Sequence, residues 1–94
     1  MRQPLSDLEI HRALNTLAGW TRRGETLVKT FTMRTFPEAI AFVTRVAEEA
    51  ERANHHPDID IRYTKVLFTL STHDAGGVTQ KDLELAAAID RVRE

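Results

Sequence analysis

Apolar positions switch along the chain between helical and extended periods, and the switches mark seven elements. Ile10, Leu14 and Leu17 recur at helical spacing behind Ser6-Asp7-Leu8-Glu9, an S-x-x-E capping box, until Gly19 stops the pattern. This predicts a first helix over about residues 7–18. Arg23-Gly24 reads as a turn, and in the extended segment after it, Thr26 to Arg34, Leu27, Phe31 and Met33 fall on one side with mostly polar neighbours. The two segments flanking that turn are expected to pair as a hairpin. Thr35-Phe36-Pro37-Glu38 is a second capping box with proline in its first turn, and Ile40, Val43, Ala47 and Ala50 supply one apolar stripe for a helix reaching about Ala53. Beyond Pro57, Ile59, Ile61 and Tyr63 alternate with charged residues, and Val66, Phe68 and Leu70 alternate with Leu67, Thr69 and Ser71, which predicts two more strands. Asp74-Ala75-Gly76-Gly77 is a turn, and Thr79-Gln80-Lys81-Asp82 opens a last helix whose Leu85, Ile89 and Val92 share a face. The order is α-β-β-α-β-β-α. Hairpins alternating with helices favour an α+β fold, a four-stranded antiparallel sheet with helices on one face.

Composition narrows the class. A chain of 94 residues suits one domain, here residues 1–94. A net charge of -1 with 29% charged residues gives no support to a nucleic-acid partner. No apolar run approaches the roughly 20 residues of a membrane helix, so no membrane partner is expected. The N-terminal residues lack the apolar centre of a secretory signal, and the cytoplasm is the expected compartment. The sequence has no cysteine, so any nucleophile, acid or metal ligand must be histidine, carboxylate or hydroxyl.

The densest candidate chemistry is Glu51-Arg52-Ala53-Asn54-His55-His56-Pro57. Proline at 57 pushes His56 into extended backbone, so both histidines are expected at a helix-to-strand corner. Glu51 precedes His55 by four residues, and on a continuous helix its carboxylate would orient that imidazole as a proton donor. If the two strands that follow pair as a hairpin, their outer ends meet and His73 returns beside His55 and His56. Three readings of this rim stay open: a solvated helix end, a zinc site, or an acid/base site. Adjacent histidines diverge and the H-E-x-x-H spacing is missing, which counts against zinc. His11 reads as a surface residue, and Trp20 as core or lid packing.

Glu51-x-x-x-His55-His56-Pro57, Tyr63-x-Lys65-Val66 and Leu70-Ser71-Thr72-His73-x-x-x-Gly77-x-Thr79-x-x-Asp82, with Gly19-Trp20 and Phe42-x-x-Arg45-Val46-Ala47, together resemble the pterin-4a-carbinolamine dehydratases. That family is also known as the dimerisation cofactor of hepatocyte nuclear factor. Thr64 stands where many relatives have asparagine and Ile59 where an aromatic is common. The resemblance implies the same α+β fold. It also implies loss of water from a 4a-hydroxy-tetrahydropterin, serving an aromatic amino-acid hydroxylase, without metal or redox cofactor. His55 and His73 would be the acid/base pair, and His56 would hold the pterin. Glu51, Pro57, Thr72, Asp74, Trp20 and Asp82 would bind substrate or support the pocket, Asp82 and Trp20 having capping and core packing as plain alternatives. A homo-oligomer, dimer or tetramer, is expected from the exposed edges of a small open sheet. The alternative function is a catalytically idle, protein-binding dimerisation or coactivator subunit.

Overall fold

The computed structural model describes residues 3–94. Ser6 caps α1 (Asp7–Leu14) with both bonds of the predicted box, its hydroxyl accepting the Glu9 N–H and its own N–H donating to Glu9 Oε1. The Ser6 backbone N–H first, and then the Ser6 hydroxyl, act on the Glu9 carboxyl and hold it below the usual glutamate range. The helix is shorter than the periodicity implied. From Asn15 to Leu17 the amide bonds reach back three residues, and the Thr16 hydroxyl donates to Ala13 O, so the chain tightens into turns before Gly19 at φ 86°. Leu17 still reaches the core, from a turn instead of a helix.

The strands β1 (Thr21–Arg23), β2 (Thr26–Thr32), β3 (Asp58–Arg62) and β4 (Lys65–Leu70) form one antiparallel sheet in the order β1-β2-β4-β3. Register places Leu27 opposite Leu70, Phe31 opposite Val66 and Ile59 opposite Phe68. Because facing residues project to the same side, Leu27, Phe31, Val66, Phe68 and Leu70 all point toward the helices. There they join Ile10, Trp20, Phe42, Val46, Leu85 and Ile89 in a single core. The rings of Phe31, Phe42 and Phe68 meet with centroids 5.1–5.7 Å apart. The fold class and element order match the sequence expectation.

Two elements depart from it. Helix α2 (Phe36–Ala53) buries Ala39, Phe42, Val46 and Ala50, whereas of the predicted stripe Ile40 and Ala47 are exposed and Val43 is half-buried. The helix carries two adjacent apolar stripes, and the one bearing the aromatic ring wins because Phe42 buries more area against Phe31 and Phe68. On β2, Lys29 lies on the core side between Leu27 and Phe31. Its ammonium lies 4.6 Å from the Phe31 ring centroid, donates to Ala18 O and pairs with Asp90 at 2.9 Å, so the charge is matched where the alternation leaves it half-buried. Helix α3 (Gln80–Arg93) starts at a complete capping box, Thr79 with Asp82.

Candidate active site

Three element ends converge at one corner. Asn54 ends α2 in the left-handed conformation, φ 52° and ψ 43°, a position asparagine tolerates better than most side chains. That reversal carries His55 inward, its N–H donating to Ala50 O, and leaves it 9% exposed while His56 stays outside. The end of β4 supplies the second edge. Thr72 bridges to Gly77, and a short 3-10 turn, His73–Ala75, sits between them with His73 and Asp74 exposed. The N-terminus of α3 is the third.

Its Asp82 is 0% exposed, with both carboxylate oxygens hydrogen-bonded. Oδ1 lies 2.6 Å from His55 Nε2, and Oδ2 accepts the Thr72 hydroxyl at 2.8 Å and the Thr79 N–H at 2.9 Å. A charged carboxylate only accepts, so opposite it His55 Nε2 carries a hydrogen and Nδ1 is the ring nitrogen without a carboxylate partner. Among the described residues Nδ1 makes no hydrogen bond. His56 Nε2 is held 2.8 Å from Glu51 Oε1 in an exposed pair.

His55, His56 and His73 line one cleft of about 450 Å³, together with Asn54, Pro57, Thr72 and Asp74. That volume falls within the roughly 300–1,000 Å³ usual for small-molecule sites. A smaller hollow of about 250 Å³ between α2 and α3 shares only His55 and Lys81 with the cleft and adds no other histidine.

Most of the expected site residues are therefore brought together, in partly different roles. Glu51 orients His56 instead of His55, because the left-handed turn at Asn54 breaks the helical i,i+4 geometry on which the expectation rested. Asp82 lies beneath the cleft behind His55, where it serves both as capping acid and as imidazole partner. Thr72 reaches the cleft wall, but its hydroxyl is spent on Asp82. Trp20 is not part of the site: it is buried against Phe31 and its indole N–H donates to Asp90. Sequence reasoning did not assign Asn54, Asp58, Ser71 and Lys81 to the lining, or Thr79 to the network behind it. A signal existed for two of them, since an asparagine ending a helix and a threonine capping one fix the backbone on either side of the histidines.

Comparison with known proteins bears on what this corner is. The family model described as pterin 4 alpha carbinolamine dehydratase matches residues 3–92. A Roseiflexus protein (strain RS-1), provisionally named a pterin-4-alpha-carbinolamine dehydratase, is 58% identical over 98% of this chain and 99% of its own. A similarly named Nostoc protein is 53% identical over the same shares of the two chains. Among solved structures, a Brucella melitensis protein described as a transcriptional coactivator/pterin dehydratase superimposes with a TM-score of 0.94 at 31% identity, covering 98% of this chain and 100% of that one. A pterin dehydratase-like protein identified as a RuBisCO assembly factor in the alpha-carboxysome gives a TM-score of 0.68 at 26% identity, over 79% and 88% of the two chains. With a family model spanning nearly every residue and relatives above half identity over the same length, the chain belongs to the pterin-4-alpha-carbinolamine dehydratase family.

Proposed function

We propose that this protein removes water from a 4a-hydroxy-tetrahydropterin to give the quinonoid dihydropterin, by histidine acid/base catalysis. The reaction is proton management: the 4a-hydroxyl leaves as water after receiving a proton, and the N5 proton is taken up by a base. Imidazole changes charge near neutral pH and can serve in either role. His55 acts through Nδ1, His73 acts from the facing turn, and His56, steadied by Glu51, holds the ring. Pro57, Asn54 and Asp74 complete the walls. No metal or redox cofactor enters this scheme, and an aromatic amino-acid hydroxylase is the kind of enzyme that would supply the substrate. The observation that carries the reading is the buried His55–Asp82 pair, which commits Nε2 of a histidine that lines a cleft together with two more. Synthetic 4a-hydroxy-tetrahydropterin should be dehydrated well above its spontaneous rate by the purified protein; a rate equal to the buffer blank would overturn the proposal.

A second reading, a protein-binding subunit, is favoured by one observation. Phe36 and Ile40 on α2 and Ile59 and Ile61 on the edge strand β3 are large apolar residues left exposed. Wild-type turnover would leave binding as an additional role, whereas an inactive protein that captures a partner would replace the first reading with this one.

A further inference from the structure

The three histidines do not account for Thr72. It is 2% exposed, its side chain touches the buried half of the site, and its backbone holds the loop that carries His73. The Thr72 N–H donates to Gly77 O at 2.9 Å, and Thr72 O accepts from the amides of Ala75 and Gly76 at 3.0 Å each. Its hydroxyl stands 2.7 Å from Thr79 Oγ1 and 2.8 Å from Asp82 Oδ2.

The direction of these bonds follows from donor counting. Asp82 only accepts, so Thr72 donates to it, and Thr72 can then only accept from Thr79. Thr79 Oγ1 in turn accepts the Lys81 N–H at 3.2 Å. Every hydrogen in the chain Lys81, Thr79, Thr72 therefore points toward Asp82, with the Thr79 N–H as a second donor on the same oxygen. Donors arrayed in this way favour the charged carboxylate and polarise one another. A charged Asp82 in turn demands a hydrogen on His55 Nε2.

On this basis, and resting on the dehydratase reading, we infer that Thr72 is a positioning residue: its hydroxyl sets the tautomer of His55 through Asp82 while its backbone places His73, so that one residue ties the two acid/base groups together. Thr72 offers the substrate no free hydroxyl hydrogen, so its effect falls on the chemical step.

The test is Thr72→Val, which keeps the shape and removes the donor, beside Thr72→Ser, which keeps the donor. Nitrogen-15 NMR of His55 reads the tautomer without any turnover. The wild type and the serine variant should show Nε2–H with a basic Nδ1, and the valine variant a mixture. With the synthetic pterin, Thr72→Val should lower kcat roughly ten- to hundred-fold, the worth of one hydrogen bond to a buried charge, with KM unchanged and rescue by serine. A purely structural role would lower Tm and leave the tautomer and kcat alone, and that result overturns the inference. So does a wild-type His55 carrying its hydrogen on Nδ1, which is decisive even if the valine variant does not fold. A wild type with the expected tautomer but no turnover would instead remove the dehydratase reading and leave the positioning role standing.

Discussion

Asp82→Asn keeps the outline of a fully buried side chain while removing its charge and half of its acceptor capacity. Two donors, the Thr72 hydroxyl and the Thr79 N–H, converge on Oδ2, and one, His55, meets Oδ1. The single amide oxygen satisfies more partners on the Oδ2 side, which turns the NH2 group toward His55 Nε2. Two donors cannot face each other at 2.6 Å, so His55 shifts its hydrogen to Nδ1 and loses the lone pair it would offer the substrate. The variant should therefore lower kcat for 4a-hydroxy-tetrahydropterin about as far as His55→Ala does, short of the roughly 10²- to 10⁴-fold loss expected when both acid/base histidines are removed. Stability falls as well. The hydrogen bonds persist but lose their charge assistance, which costs about 1.5–3 kcal/mol in all, and loss of an anion from the first turn of α3 adds about 0.3–1 kcal/mol. In a chain of this size that corresponds to a Tm lowered by roughly ten to twenty degrees. Steady-state rates, a calorimetric scan and the His55 nitrogen shifts measure the three effects separately. An asparagine variant with wild-type kcat and an unchanged His55 tautomer would refute the reasoning.

Three further outcomes follow from the same corner and its surroundings. His55→Ala and His73→Ala should each spare part of the activity and change which 4a-hydroxy stereoisomer is consumed, while the double change should lose roughly 10²- to 10⁴-fold and His56→Ala should raise KM for both isomers; a double variant with wild-type rates would reduce these histidines to solvated surface. Because no three His, Cys, Asp or Glu side chains among the described residues are placed to hold one ion, exhaustive chelation should leave the rate unchanged, and activity lost to a chelator and restored by zinc would contradict that. The outer edge of β3, unpaired among the described residues, and the exposed Phe36 and Ile40 call for cover, so light scattering at micromolar concentration should give a multiple of 10.7 kDa and not the mass of one chain.

Local signals made the element order legible, and they failed where a tertiary contact outranked them. The caps at Ser6, Thr35 and Thr79 and the proline at 57 mark boundaries within reach of a few residues, and all four boundaries stand where the sequence put them. The rotation of α2 about its axis was not legible, because two apolar stripes one residue apart score alike until Phe42 meets Phe31 and Phe68. The convergence of His55, His56 and His73 could be read from hairpin closure alone. Which carboxylate serves which imidazole could not. Glu51 has the right spacing for His55 on a helix, but a single residue with φ 52° swings the chain so that His56 takes that partner and His55 turns to an aspartate 27 positions away.

At Asp82, capping a helix and supporting the pocket are compatible tasks of one carboxylate. A capping acid needs only to accept the N–H of its own helix start, which occupies one lone pair of Oδ2. Three acceptor sites remain, and in a buried position each one left empty forgoes a bond that water cannot replace. The Thr72 hydroxyl and His55 fill two of them, so the group that starts α3 is also the group that orients the imidazole. Helix initiation, the approach of β4 and the burial of His55 then depend on one carboxylate. Substitutions there should not separate folding from activity, whereas substitutions at His73, which is exposed on its turn, should lower activity and leave stability within about 0.5 kcal/mol.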